Sequence, residues 1–238
     1  MTADHVYGRN AVREALRGPR EVLELWVTER ALKAEPWLRE PGLGTRSRVK
    51  PERDLTEAAG TRDHQGVLAW AEPYRYADAY ELAAGESPLL VCLDQVTDPH
   101  NLGAVARTGE AAGATGIVVP AHNAARVTPA VVRASAGAIE HLPVAVVKNM
   151  ARYLSEVKGP RLWAWAAAGD GETPLWQADL TGGIALVLGA EGKGVRPLVR
   201  RTCDAVVSIP VAGEVESLNV SVAAAVLLYE ARRQRNGG

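Results

Sequence analysis

A polar segment near the C-terminus carries side chains suited to holding an anion. It runs from a short apolar stretch, through a polar loop, into a helical pattern of small residues over 209–226. Glu216, Ser217 and Asn219 stand where the helix is predicted to begin. Ser and Asn oxygens accept hydrogen bonds from the unpaired backbone N–H groups of a helix start. Because those groups also make a helix start electropositive, the segment is either a well-capped helix or an anion site.

A second segment, residues 98–114, presents an arginine on a helix of small residues. An Asp-Pro pair signals the helix start, and Asn101 is predicted to cap it. Arg107 follows Gly103 by four residues, so both are expected on one face of the helix. A guanidinium beside a glycine leaves space for a ligand, and its planar fork suits phosphate. Taken alone, such an arginine is more often a solvated surface residue.

A glycine-rich turn, Gly189 to Gly194, follows the apolar stretch 184–188 and contains Glu191 and Lys193. Glycines permit a ligand to approach the backbone closely, and open parallel sheets bind ligands at the carboxyl ends of their strands. The glycine pattern is GxxGxG rather than GxGxxG, and no Ser or Thr follows the lysine as a P-loop requires. A dinucleotide-binding Rossmann domain is therefore disfavoured.

Apolar stretches alternate with helical patterns from residue 88 onward. Strands that are buried on both faces are almost wholly apolar, so this pattern indicates a parallel sheet covered by helices on both sides. The predicted strands are 89–93, 116–119, 144–147, 162–167, 184–188 and 205–209. The predicted helices are 101–113, 128–139, 148–157, 195–201 and 217–233. The sequence thus predicts an α/β fold for residues 88–238.

The first 72 residues predict a smaller α/β module with its own core. Its predicted helices are 9–16, 33–39 and 52–59, and its predicted strands are 22–27 and 66–71. Residues 73–87 combine proline, glycine and serine with an alanine-rich piece, which is typical of a linker with about one helical turn. We therefore expect a domain at 1–72, a linker at 73–87 and a domain at 88–238.

The charge pattern bears on nucleic-acid binding. A net charge of −1 disfavours indiscriminate binding, which depends on neutralising phosphates. Residues 41–51 nevertheless contain three basic residues and no acidic one, and two arginines flank them. The set is Arg39, Arg46, Arg48, Lys50 and Arg53. It is either an RNA-contacting surface or a solvated loop. His64 and Gln65 either read RNA or form a hydrogen-bonded turn before strand 66–71.

The composition limits the remaining classes of protein. Cys92 and Cys203 lie far apart in or beside apolar stretches, which predicts buried reduced thiols. The five histidines show no metal-ligand spacing with them, so no metal is expected. No apolar run reaches the roughly 18 residues of a membrane span, and the N-terminus lacks a signal-peptide core. We expect a cytoplasmic protein. His100, beside the arginine segment, is expected to be a polar residue of the helix start rather than a base.

Together, the three segments resemble the SpoU family of RNA ribose 2'-O-methyltransferases. The matching motifs are Asn101–Thr108, Leu186–Gly192 and Ile209–Pro210 with Ser217–Ser221, in the family's order and spacing across residues 88–238. Stretches 6–16 and 62–76 resemble the ribosomal-protein-like RNA-binding domain of members that methylate large-subunit rRNA. Stretch 134–154 is most similar to the branch that methylates a guanosine of 23S rRNA. Two small apolar departures are Val211, where Met is commoner, and Ala223–Ala225, where a glycine is frequent.

The resemblance implies an S-adenosylmethionine-dependent enzyme whose domain 88–238 forms a deep trefoil knot, preceded by the small RNA-binding domain. It implies cofactor contacts from Gly189, Ile209, Val211 and Leu218. It also implies that Arg107 is essential and reaches a cofactor bound by the partner subunit of a homodimer. Arginine stays charged at ordinary pH, so we expect it to clamp a phosphate and stabilise a developing alkoxide rather than to accept a proton. Asn101, Glu191, Ser217 and Asn219 are then expected to orient Arg107 and the ribose.

Several functions compete at this stage. Ribose 2'-O-methylation of a 23S rRNA guanosine leads, and a tRNA or another rRNA nucleotide, as in antibiotic resistance, remains an alternative because one fold serves many targets. An RNA-binding protein without catalysis is the second hypothesis, which the intact polar residues of the motifs disfavour. A nicotinamide dehydrogenase built on the glycine-rich turn is the third, and its poor fingerprint disfavours it.

Overall fold

The chain folds into two compact units. The computed structural model describes residues 3–40, 47–214 and 217–237, so Arg46 and Glu216 lie outside the described residues. Unit 1 comprises residues 1–75 and 127–141, and unit 2 comprises residues 76–126 and 142–238. Residues 127–141 thus fold with the N-terminal module, although they lie inside the continuous segment 88–238 of the sequence.

Strands and helices alternate along most of the described chain. The strands are β1 (Asp4–Tyr7), β2 (Val22–Val27), β3 (Ser47–Val49), β4 (Val67–Ala71), β5 (Leu89–Asp94), β6 (Gly116–Pro120), β7 (Val144–Val147), β8 (Trp163–Ala167), β9 (Thr173–Pro174), β10 (Ile184–Gly189) and β11 (Ala205–Ser208). The α-helices are α1 (Arg9–Arg17), α2 (Glu29–Ala34), α3 (Glu52–Ala59), α4 (Ala79–Ala83), α5 (Pro99–Ala112), α6 (Pro129–Ala134), α7 (Met150–Val157), α8 (Pro197–Thr202) and α9 (Val220–Arg235). Short 3₁₀ helices occur at Pro36–Arg39, Ala138–Glu140 and Leu175–Gln177.

Unit 1 is built on a four-stranded sheet in the order β1-β4-β2-β3. Strand β4 pairs antiparallel with β1 and β2, and β2 pairs parallel with β3. Helix α6 packs against β1 and α1, although it lies far from them in sequence. A buried ion pair holds that segment in place: Arg20 Nε donates to Glu140 Oε2 at 2.9 Å, and Arg20 Nη2 donates to Glu140 Oε1. Such a bidentate pair satisfies two charges that would be costly to bury alone.

Two predicted helices of unit 1 have different bounds in the structure. The prediction of a helix over 33–39 was wrong, because α2 begins after Thr28, whose side chain accepts a hydrogen bond from Ala31 N. The chain then continues as a 3₁₀ helix from Pro36, which cannot extend an α-helix. The prediction of a helix over 128–139 was also wrong beyond Ala134. Ala136 and Gly137 adopt φ values of 53° and 91°, which end the helix and start a 3₁₀ turn.

Unit 2 is built on a seven-stranded sheet in the order β7-β6-β5-β10-β8-β11-β9, and its paired strands are parallel. Leu90, Cys92, Ala185 and Val187 are buried on one face with residues of α7 and α8. The alternating strand residues are buried as well, and α9 packs against both α5 and β10. Both faces are therefore covered, which confirms the predicted parallel α/β sheet. The six predicted strands correspond to β5, β6, β7, β8, β10 and β11.

The prediction of buried reduced thiols is confirmed for Cys92, whereas Cys203 is only partly buried. Both cysteines are free, Cys92 is fully buried and Cys203 is half-buried. Burial raises the pKa of Cys92 and, as the largest cause, raises that of Cys203 to about 12. Among the described residues, no cluster of three or more His, Cys, Asp or Glu side chains could hold a metal ion. No helix in this described part is both long and apolar enough to cross a bilayer.

His64 is a buried, neutral part of a turn in unit 1. Its Nδ1 accepts a hydrogen bond from Gly66 N at 3.0 Å, and its Nε2 lies 2.9 Å from Thr56 Oγ1. Gln65 has a φ of 55° and accepts a hydrogen bond from Arg9 N through its side chain. The structure therefore favours the hydrogen-bonded turn over RNA reading. Burial lowers the pKa of His64 below its ordinary value of 6.5, against the opposing charges of Glu52 and Asp63.

The lowered pKa of His64 predicts a loss of stability in acid. The unfolded chain takes up a proton near pH 6.5 while the folded chain does so only at lower pH, so the free energy of unfolding should fall as pH drops below about 6.5. We expect urea unfolding at pH 7.5 and pH 5.5 to show a larger loss in the natural chain than in His64→Gln, which cannot titrate. Equal losses in both proteins would contradict the prediction.

Candidate active site

A cavity of about 600 Å³ opens at the carboxyl edge of the sheet of unit 2. Its walls come from the segments that follow β8, β10 and β11 and from the start of α9. The cofactor residues expected from the sequence all line it: Gly189, Ile209, Val211 and Leu218. Val211 and Leu218 are 43% and 38% exposed, so each offers apolar surface to the cavity. Such a mixture of apolar walls and turn backbone suits a purine ring and its polar edge.

The glycine-rich turn after β10 folds back tightly on itself. Gly194 N donates to Ala190 O at 2.8 Å and closes the turn. A Cβ added to Gly189 would lie 1.9 Å from the carbonyl carbon of Gly194, and backbone atoms cannot move aside cheaply. Gly194 itself has a φ of 64°, in the region that favours glycine. The turn therefore needs glycine at both ends to reach its position against the cavity.

An ion pair between a buried carboxylate and a partly exposed arginine anchors the end of this turn to the sheet. Asp94, the last residue of β5, is fully buried. It accepts hydrogen bonds from Arg196 N at 2.9 Å, from Arg196 Nε at 2.9 Å and from Arg196 Nη2 at 2.6 Å. The hydrogen bond to Asp94 is the main cause that raises the pKa of Arg196 above its ordinary value. The same arginine is the residue directly before α8, so one carboxylate fixes both the turn and the approach to the following helix.

Three polar residues from the three sequence motifs meet beside the cavity. Asn101 Nδ2 donates to Glu191 Oε1 at 3.2 Å, and Asn219 Nδ2 donates to Asn101 Oδ1 at 3.1 Å and also to Glu191 Oε1. The amide of Asn219 is oriented because its Oδ1 caps α9, accepting from Ser221 N at 2.8 Å. In this Asn101–Glu191–Asn219 cluster, the fold brings the three sequence motifs into contact.

The sequence prediction for Asn101 was wrong in one respect. Asp98 caps α5 instead, accepting a hydrogen bond from His100 N at 2.8 Å, and Pro99 is the first helical residue. The side chain of Asn101 is thereby free to contact Glu191. His100 is exposed at the start of the helix and lines neither of the two cavities of the described chain.

Ser217 is part of the cavity wall, whereas Arg107 is not. Ser217 lines the cavity, together with Glu191 and Asn219. Arg107 lies on α5, is exposed and lines neither cavity. Its guanidinium has no hydrogen bond or ion pair with another residue in the described part of the chain. The fold of one chain therefore gathers eight of the nine predicted site residues around its cavities and leaves Arg107 apart.

A second cavity, of about 480 Å³, adjoins the first and shares Ala190, Glu191 and Val220 with it. Sequence reasoning missed the residues that complete the two cavities. Gln95 and Asn123 line the second cavity, and the segment Ala167–Gly169 lines the first. Each lies at or just beyond the carboxyl end of a buried parallel strand. Ligands of open parallel sheets bind at those ends, so examining the carboxyl end of every predicted strand would have found these residues.

Comparison with known proteins agrees with this architecture. Residues 88–229 match the model of the SpoU rRNA Methylase family, and residues 5–77 match RNA 2'-O ribose methyltransferase substrate binding. The chain is 42% identical to the 23S rRNA (guanosine-2'-O-)-methyltransferase RlmB of Pseudomonas syringae pv. tomato, covering 98% of this chain and 96% of that protein. It is 40% identical to RlmB of Shewanella oneidensis, covering 98% of both.

A solved structure extends the similarity to three dimensions. The SpoU methyltransferase AviRb from Streptomyces viridochromogenes, in complex with AdoMet, superimposes with a TM-score of 0.84 and 30% identity over 99% of this chain and 91% of that chain. A parallel α/β sheet with a polar-rimmed cavity at its carboxyl edge, joined to a substrate-binding module, defines a class of RNA-modifying methyltransferases. The chain belongs to the SpoU rRNA Methylase family.

The geometry of the glycine-rich turn makes a prediction about stability. Gly189→Ala should lower the free energy of unfolding by about 2 kcal/mol, because the added Cβ meets backbone atoms of Gly194. Gly159→Ala is the matched control, since nothing lies within 4 Å of its added Cβ and it is also in unit 2. Urea unfolding of the three proteins measures the difference. Equal stability of the two variants would show that the turn is not confined as described.

Proposed function

We propose that this protein transfers a methyl group from S-adenosylmethionine to the 2'-hydroxyl of a ribose in RNA, and that the acceptor is a guanosine of 23S rRNA. One observation carries the proposal: seven of the nine residues predicted for the site line a single cavity in a chain of this family. They are Gly189, Glu191, Ile209, Val211, Ser217, Leu218 and Asn219. The relatives named as 23S rRNA guanosine methyltransferases span almost the whole chain, which favours that acceptor over tRNA.

The residues present fit the cofactor. A cavity of about 600 Å³ lies within the range of small-molecule sites, roughly 300–1,000 Å³. Ile209 and Leu218 offer apolar walls for an adenine ring, and Gly189 contributes backbone to the cavity wall. When bound, S-adenosylmethionine supplies an electrophilic methyl group on a sulfonium, so the transfer requires alignment of the acceptor oxygen and assistance to the loss of its proton.

The polar cluster performs the alignment in this proposal. Its amide and carboxylate groups hold one another in fixed orientations, so they can hydrogen-bond a ribose without first reorganising. Fixed placement of two reactants is worth several kcal/mol of a barrier, on the order of 7–11 kcal/mol in the best cases. Ser217, at the cavity wall, adds a hydroxyl that can orient the same sugar.

Arg107 supplies the cation in this proposal, and it does so across a homodimer. The guanidinium is exposed, has no partner among the described residues and lines neither cavity of its own chain. A second copy can bring it to the cavity of the first, where it clamps a phosphate and stabilises the developing alkoxide. It cannot serve as the base, because arginine remains protonated at ordinary pH.

The N-terminal module, residues 1–72, binds RNA in this proposal. Its match to a substrate-binding model supports the assignment, and the exposed Arg48 and the half-buried Lys50 are its basic candidates. Arg48 pairs with Glu24 at 3.2 Å and Lys50 lies 5.0 Å above the Trp26 ring, so RNA would have to compete with these contacts. We also infer the trefoil knot within 88–238 and a cytoplasmic location, where ribosomal RNA is modified. The insertion of β10 between the earlier strands β5 and β8 is compatible with such threading.

Methyl transfer tests the proposal directly. Unmodified 23S rRNA and tRNA transcripts should be incubated with tritiated S-adenosylmethionine, and the ribose methylation mapped by resistance to alkaline hydrolysis. We expect label in one guanosine of 23S rRNA. Binding of RNA without transfer would favour a catalytically silent RNA-binding protein, and label only in tRNA would favour the alternative substrate.

Removing the cation should separate binding from transfer. We expect Arg107→Ala to lower the rate of methyl transfer by a factor of about 100 or more, as loss of a transition-state contact does, while the cofactor Kd changes little. Arg201→Ala, another exposed arginine of unit 2, is the control and should transfer at the normal rate. A near-normal rate for Arg107→Ala would remove this residue from the mechanism.

Mixing two inactive variants tests the homodimer. Leu218→Glu places a charge in the cofactor cavity, and Arg107→Ala lacks the cation, so each alone should be inactive. If each site combines one chain's cavity with its partner's arginine, an equal mixture after subunit exchange should regain roughly a quarter of normal activity. Absence of any recovery, with exchange verified by mass spectrometry, would place the arginine and the cavity on the same subunit.

A further inference from the structure

The second cavity lies at the carboxyl ends of β5, β6 and β10, beside the first. Gln95 and Asn123 contribute amide side chains, Lys193 contributes an ammonium group, and Asn101 and Glu191 are the two members of the polar cluster that line it. Its volume of about 480 Å³ is within the range of small-molecule sites. The residues assigned to the cofactor by sequence line the first cavity, so the second has no assigned occupant.

Three polar side chains of this cavity have no partner among the described residues. The side chains of Gln95, Asn123 and Lys193 make no hydrogen bond or ion pair with any residue that the structure describes. An amide offers both donors and an acceptor, which matches the mixed edge of a nucleobase, and an ammonium group matches a phosphate. A cavity lined in this way suits a nucleotide better than an apolar ligand.

The backbone at Gln95 supports a binding role. Gln95 and Asn123 have φ values of 63° and 55°, in the left-handed region that non-glycine residues seldom occupy. For glutamine this conformation is unfavourable, and such strain is concentrated at sites of function. Glycine would adopt both conformations without strain. The Gln95 amide is therefore present despite its backbone, which points to a use for the side chain itself, whereas asparagine tolerates this region well.

We propose that the second cavity binds the acceptor nucleotide of the RNA. Gln95 and Asn123 bind the hydrogen-bonding edge of its extruded base, and Lys193 pairs with an adjacent phosphate. The ribose then lies at Asn101, which lines the second cavity, and at Glu191, which it contacts and which lines both cavities, so its 2'-oxygen faces the methyl donor. The inference rests on the proposed methyl transfer and assigns to this cavity the choice of nucleotide.

Glycine variants test the assignment with little risk to the fold. Gln95→Gly and Asn123→Gly remove the amides and relieve the positive φ, so their unfolding midpoints should not fall. We expect each to lower kcat/KM for unmodified 23S rRNA by about tenfold, the effect of one or two lost hydrogen bonds, and to spread ribose methylation to other nucleotides. Cofactor Kd, measured by calorimetry with S-adenosylhomocysteine, should stay within about twofold. His122→Gly, exposed in the same loop but outside the cavity, should behave as the natural chain.

The other possible results separate a failure of this cavity assignment from a failure of the proposed function. If the natural chain methylates RNA and both glycine variants match His122→Gly in rate and in position, the second cavity does not hold the acceptor. If cofactor Kd weakens instead, the cavity belongs to the cofactor and the inference is overturned. If the natural chain transfers no methyl group to any RNA, the proposed function itself fails. Lys193→Gln adds an independent measure, since losing a phosphate contact should reduce the salt dependence of RNA binding by about one ion.

Discussion

The contact between Asp94 and Arg196 underlies the geometry of the site. A carboxylate with no exposure to water is costly unless it is paired and hydrogen-bonded, and Asp94 meets both conditions only when Arg196 closes the glycine-rich turn over it. Gln95 follows that carboxylate directly and lines the second cavity, while Gly194, two residues before Arg196, lines the first. One buried charge therefore fixes a wall of each cavity, and neither wall can shift without exposing or unpairing it.

The parallel sheet explains why two cavities stand side by side. The carboxyl ends of parallel strands share one edge, so the segments after β5, β6, β10, β8 and β11 are neighbours in that edge although they are far apart in sequence. Strand β10 is central to both cavities, and its following turn carries Glu191 between them. Direct transfer of a group between two bound molecules requires that their two cavities be adjacent. In a fold whose binding loops lay far apart, those loops would have to move together before the transfer.

The elements that depend on local pattern were predictable, and those that depend on tertiary contacts were not. Buried strands such as β5 and β10 appear as apolar runs, whereas β1, β3 and β9 are short and lack them. The convergence of the motif residues could be predicted from the sequence. The N-cap of α5 was assigned to Asn101, but it is Asp98, because Asp98 precedes a proline at the first helical position. The place of residues 127–141 in unit 1 depends on the pair of Arg20 with Glu140, which are separated by 120 residues. No periodicity encodes that contact.

The charges of the site favour catalysis by placement rather than by a resident base. Among the described residues, the titratable groups that line the two cavities are Glu191, Asp98 and Lys193, and no histidine is with them. Glu191 is already engaged by two amides, and Lys193 and Arg107 are cations. A positive charge near the acceptor lowers the energy of an alkoxide as it forms, so the proton can leave to solvent while the oxygen is held in line with the methyl group. In the described part of the chain Arg107 pairs with no carboxylate, so its charge stays available for a phosphate and a developing alkoxide.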